Sequence, residues 1–150
     1  MSLLRVMVDA DVLFAGSASP SDRSASLVVL RLSDLTLIDG VASEQVVAEA
    51  EKNLGEKVGA AVPAFRDLVG ACVRVVPDPT ADEVVALSGR AHPKDLPILT
   101  AAVRDECDVL VTFNEKDYRP GHQDVEVMTP GVLVQRVRRL VAWAGARSGE

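Results

Sequence analysis

The amino-acid sequence predicts an α/β fold, a three-layer α/β/α sandwich with a mainly parallel central sheet of about five strands. Two observations carry this expectation. Short valine-rich runs recur along the chain with helically spaced segments between them, the alternation that builds a parallel sheet covered on both faces. A hydrophobic content of 48% over 150 residues is enough for the core of one domain spanning residues 1–150.

The first strand is Leu3-Leu4-Arg5-Val6-Met7-Val8, apolar and partly β-branched, and Asp9-Ala10-Asp11 ends it in a turn. A first helix is expected over 21–34, opened by Ser21-Asp22, with Leu27, Leu30, Arg31 and Asp34 near helical spacing. Leu35-Thr36-Leu37-Ile38-Asp39 reads as the second strand, with a turn at Gly40. Ser43 can then cap a helix holding Val46, Val47, Ala50 and Leu54. A further helix over about 60–71 carries Val62, Phe65, Leu68 and Val69, and Pro63 marks its first turn, where a missing N–H loses no hydrogen bond.

Val73–Val76 is the third strand, stopped by Pro77-Asp78-Pro79. Thr80 and Glu83 form a capping-box signature for a helix through about Ser88. The next helix runs from about Lys94 to Glu106, with Leu96, Leu99, Ala102 and Val103 on one stripe. Asp108–Thr112 and Val125–Met128 are the fourth and fifth strands. Pro130 opens a last helix that turns Leu133, Val137, Leu140 and Val141 toward the protein and Arg136, Arg138 and Arg139 toward solvent.

Composition narrows the function classes. A net charge of −6 argues against broad electrostatic wrapping of nucleic acid, yet suits an acidic pocket that binds metal first and phosphate second. No basic leader with an apolar stretch precedes Asp9 and no long uncharged span follows, so a cytoplasmic protein without a membrane partner is expected. Cys72 and Cys107, far apart and without a ligand set, read as buried thiols.

The chemistry is expected where strands end, because the ligand crevice of a parallel sheet lies beyond the carboxyl ends of its strands. Asp9 follows the first strand, and Asn114 and Asp117 follow the fourth. Glu49 and Asp95, on neighbouring helices, complete a cluster if those helices pass the same rim. Oxygen ligands so gathered repel one another unless they protonate or bind a cation, and a hard ion such as Mg²⁺ or Mn²⁺ is the natural answer. Such an ion polarises a phosphate and activates water for phosphodiester hydrolysis. Taken singly, Glu49 reads equally as a solvated helix residue beside Glu51 and Lys52, and Asp95 as a carboxylate drawn to the positive end of its helix. Asp11 suits an orienting role, Thr112 can order the turn through its hydroxyl, and His92 reads as a cap or surface residue before a substrate contact.

The segments VMVDADVLFAG (6–16), SEQVVAEAEKNL (43–54), HPKDLPILTAAV (92–103) and DVLVTFNEKDY (108–118) resemble, in order and spacing, the motifs of PIN-domain nucleases, especially the VapC-like toxin ribonucleases. The likeness runs from Val6 to about Leu140. It implies an RNA-cleaving enzyme with Mg²⁺ or Mn²⁺ held by Asp9, Glu49 and Asp95, and further a cognate antitoxin and a homodimer as candidate partners. The apolar positions of the first two helices can support that dimer. One position departs from the pattern: T-F-N puts Asn114 where the family's T-x-D carries an aspartate, so Asn114 or Asp117 fills the fourth site. Two other classes stay open. The chain can be a catalytically weak or inactive PIN-like interaction module, the substitution at Asn114 signalling lost catalysis, or an Asp-dependent phosphatase with Asp9 as nucleophile.

Overall fold

The computed structural model describes residues 3–18 and 24–148. Among them, β1 (Arg5–Val8), β2 (Asp39–Ser43), β3 (Arg74–Val76), β4 (Val109–Val111) and β5 (Glu126–Met128) form one parallel sheet in the order β3-β2-β1-β4-β5. Val6 pairs with Gly40 on one side and Val109 on the other, which makes β1 the central strand. Helices α1 (Ala10–Ala18) and α2 (Ala25–Asp34) join β1 to β2, and α3 (Glu44–Lys57) and α4 (Val62–Cys72) join β2 to β3. Helices α5 (Ala81–Ala86) and α6 (Leu96–Arg104) lead to β4, and α7 (Pro130–Ser148) follows β5.

The chain steps outward from β1 through β2 to β3, then returns across all three to β4. Right-handed crossovers therefore place α1–α4 on one face and α5–α6 on the other. Packing agrees: α1–α4 pack among themselves and α2 on α7, whereas α5 packs on α6 and α6 on β4. This is the expected α/β/α sandwich. Strand order reverses between β1 and β4, so the crevice such a fold offers a ligand opens at their carboxyl ends.

Several elements match their sequence signals. Ser43 Oγ accepts the Val46 N–H at the start of α3, Pro63 lies in the first turn of α4, and Thr80 and Glu83 exchange both bonds of a capping box. Cys72 and Cys107 are buried free thiols, and burial pushes Cys107 up to about 12.

Three expectations need correction, and a fourth falls on residues outside those described. Residues 10–18 form helix α1 rather than a turn, because Val12, Leu13 and Gly16 recur on one face and are buried there. Gly16 permits α2 to approach closely, since a Cβ at this position would lie 2.7 Å from Leu30 Cδ1. The second strand is Asp39–Ser43, not Leu35–Asp39. Thr36 adopts a φ of 58°, which breaks the extended run, and Leu35 and Leu37 are exposed. Gly40 is thus a strand residue whose N–H donates to Ser33 Oγ at 3.0 Å. Helix α2 starts at Ala25 behind an N-cap at Ser24, and the expected start at Ser21-Asp22 lies outside the described residues. On α7, which runs for 19 residues, Leu133 and Val137 in the first half are buried, but Leu140 and Val141 in the second half are each 59% exposed.

Candidate active site

The geometry begins with the β1–β4 ladder. The Asp9 N–H donates to Val111 O at 3.1 Å, extending the pairing one residue beyond β1 and setting Asp9 beside Thr112. Asp9 is 6% exposed, yet both carboxylate oxygens are satisfied. Oδ1 accepts from the Ala10 N–H at 2.7 Å, while Oδ2 accepts from Thr112 Oγ1 at 2.8 Å and from the Tyr118 hydroxyl at 2.7 Å.

Asp11, in the first turn of α1, faces the loop after β4. Its Oδ2 accepts from the Phe113 N–H at 3.0 Å and the Asn114 amide at 3.2 Å, so it does orient that loop. Its Oδ1 is buried and receives no hydrogen bond among the described residues. Burial, then the neighbouring charge of Asp9, pushes the Asp11 carboxyl up to about 6.

Asp95 occupies the N-cap position of α6, but its side chain makes no capping bond there. Burial raises its carboxyl above the usual range, and the charges of Asp9 and Asp117 raise it further. Glu49 comes from α3, with Lys94 Nζ 3.9 Å from its Oε1. The short 3₁₀ turn Glu115–Tyr118 carries Asp117, and the His92 N–H donates to Asp117 O at 2.7 Å, tying this turn to the segment before α6. His92 Nδ1 accepts from the Lys94 N–H at 3.2 Å, the capping role read from the sequence.

Asp9, Asp11, Glu49, Asp95, Asn114 and Asp117 line one cleft of about 160 Å³, together with Ala10, His92 and Lys94. All five residues expected at the site from sequence therefore meet at the predicted rim. Their donors suit a hard cation in type and charge, and the orphaned Asp11 Oδ1 is the kind of atom such a charge would satisfy. Among the described residues, however, no three His, Cys, Asp or Glu side chains stand close enough together to hold a metal ion as they are. A larger hollow of about 490 Å³ lies at the opposite end of the sheet, where Arg5, Asp39 and Arg74 begin β1, β2 and β3. Among the described residues its lining carries one carboxylate, Asp39, and the smaller cleft is the chemically equipped one.

Tyr118 was missed by the sequence reading. Its signal is indirect: a tyrosine closing an otherwise polar turn is buried only where its hydroxyl finds a partner.

The PIN domain family matches residues 5–116, from β1 to the turn after β4. Among solved structures, the chain resembles PAE2754 from Pyrobaculum aerophilum at 17% identity and a TM-score of 0.65, covering 91% of this chain and 96% of that one. It resembles VapBC2 from Rickettsia felis, bound to a DNA fragment from their promoter, at 16% identity and a TM-score of 0.63, covering 83% and 98%. The sarcin-ricin loop cleaving toxin VapC20 of Mycobacterium tuberculosis aligns at 16% identity and a TM-score of 0.51, covering 70% and 86%. At such identities these likenesses concern the fold. A search of the curated proteins finds no significant match.

Proposed function

We propose, from the premise that this chain belongs to the PIN-domain family, that it is a Mg²⁺- or Mn²⁺-dependent endoribonuclease and the toxin of a toxin–antitoxin pair. One observation carries the reading: five carboxylates share a small cleft at the switch point of the sheet, with Lys94 the one Lys or Arg among the described residues of its lining. Asp9, Glu49 and Asp95 would hold the ion, and Asp117 would supply the fourth oxygen because a carboxylate brings the negative charge that the neutral Asn114 amide lacks. When bound, the ion supplies Lewis acidity toward a phosphate oxygen and acidifies the attacking water. Thr112 and Tyr118 orient Asp9, and Lys94 offers its ammonium to a phosphate entering the cleft. Through its likeness to a VapBC pair, we take the partner to be an antitoxin that lays an Arg or Lys into the acidic cleft. No helix among the described residues is long and apolar enough to cross a membrane.

The test is cleavage of single-stranded RNA by the purified chain with Mn²⁺ or with a chelator. Asp9→Asn, Asp95→Asn and Asp117→Asn should each lower metal-dependent cleavage by at least about 100-fold while melting cooperatively, since each removes a charged oxygen and almost no volume. Full activity in all of them would sink the assignment. A second reading, a weak or inactive interaction module, is favoured by the absence of a preformed three-ligand group among the described residues. Calorimetric titration separates the two, because an enzyme that gathers its ligands on binding takes up Mn²⁺ and loses it on Asp9→Asn, whereas an inactive module takes up none.

A further inference from the structure

We infer that Tyr118 is a positioning residue for Asp9, fixing which carboxylate oxygen faces an incoming cation; this rests on the metal-binding reading of the cleft. Tyr118 is 1% exposed, and its hydroxyl lies 2.7 Å from Asp9 Oδ2. The same Oδ2 accepts from Thr112 Oγ1 at 2.8 Å, whereas among the described residues Oδ1 accepts a single bond, from the Ala10 N–H. A carboxylate oxygen has two in-plane lone pairs. Oδ2 is therefore saturated by two hydroxyl groups, and Oδ1 retains a lone pair that can be offered to a ligand.

The phenol also acts at the level of the turn. Tyr118 is the last residue of the 3₁₀ turn that carries Asp117, so its bond to Asp9 braces that turn against the end of β1. Two acidic residues from opposite ends of the sequence are held in register by one hydroxyl. The turn is fixed again where the His92 N–H donates to Asp117 O, which links the brace to the segment bearing Asp95. Phenylalanine at 118 would fill the same space and lose only the bond. Partners of this kind, which orient a ligand without touching the metal, are worth roughly 10- to 100-fold in metal affinity.

Tyr118 is the single tyrosine of the chain, which makes a spectroscopic test unambiguous. With tyrosine ¹³C-labelled at Cζ, one resonance reports the phenol. Saturating Mg²⁺ should shift it, with the same midpoint that calorimetry gives, and Tyr118→Phe should bind Mn²⁺ about tenfold more weakly with its cooperative melt retained. Equal Mn²⁺ affinity in wild type and Tyr118→Phe, or a resonance unmoved by saturating Mg²⁺, would overturn the positioning role while leaving the metal site standing. Should the variant fail to fold, the wild-type resonance decides alone. No Mn²⁺ uptake by the wild type would instead overturn the metal reading itself.

Discussion

At Asp11, Oδ2 accepts bonds from Phe113 and Asn114 while Oδ1 is buried with none, so half of a carboxylate sits dry among the charges of Asp9 and its neighbours. Such a group destabilises the metal-free protein at neutral pH, because desolvation is not offset on the orphaned side. Asp11→Asn keeps the shape and the acceptor for Phe113 while removing the charge. In chelator at pH 7 it should raise the melting temperature by about 2–4 °C, the shift expected for roughly 1 kcal/mol in a chain of this size. Saturating Mn²⁺ should shrink the gain, since a nearby cation offsets the same charge. A lower melting temperature for the variant in chelator would show that Oδ1 has a favourable role the geometry does not reveal. Residues of this kind differ in how legible they are in sequence. Asp9 could be found because a carboxylate ending a buried strand is costly without a partner, and Asp95 because it opens a helix facing the same rim. Tyr118 could not be found so readily, since its partner lies 109 positions away and nothing local marks a buried phenol.

At the level of elements, caps and prolines were readable because their partners are local: Ser43 bonds Val46, and Thr80 bonds Glu83. Helix α1 and the register of β2 were not, because both depend on contacts between elements. Apolar Leu35-Thr36-Leu37 has the stronger strand composition, yet the sheet selects Asp39–Ser43, where Asp39 pairs with Arg5 and Gly40 with Val6. Gly40 is part of the reason. Ser33 at the end of α2 stands so close that a Cβ on residue 40 would lie 2.5 Å from Ser33 Oγ and 2.9 Å from Ser33 Cβ. Gly40→Ala should therefore cost about 1–3 kcal/mol, as overpacking does, despite the better strand propensity of alanine. Adding Ser33→Ala removes the nearest atom but also the acceptor of the Gly40 N–H, so urea denaturation should show only part of the loss recovered. A single Gly40→Ala variant as stable as wild type would mean that α2 shifts freely over β2. This register matters to the site, because β2 leads directly into α3 and hence to Glu49.

For the molecule as a whole, the question is how a chain of net charge −6 approaches a polyanion. Arg5, Arg66, Arg74, Arg104 and Arg136 are each engaged by an acidic side chain, and Arg136 makes two bonds to Glu126. That last pairing occupies the guanidinium of Arg136, which the sequence turns toward solvent, and opposes a phosphate contact there. The acidic cleft is lined by one lysine, Lys94, whose ammonium lies 3.9 Å from Glu49. If RNA is drawn in through a bound metal and a few cations near this rim, counterion release on binding must be small. Each phosphate neutralised on a single strand contributes about 0.7 to the slope of log affinity against log salt. With about three such contacts, binding of a phosphorothioate-substituted single-stranded RNA in Mg²⁺ should show a slope near −2 between about 50 and 200 mM salt. Lys94→Ala should make the slope shallower by about 0.7, and a substitution at Arg66, tied to Glu51 in an exposed ion pair, should leave it unchanged. A slope steeper than about −5 would require a broad basic groove, which the pairing of these arginines opposes. Equal effects of the two substitutions would mean that RNA does not enter through the cleft at the β1–β4 switch point, and the acidic residues would have to be assigned to some other ligand.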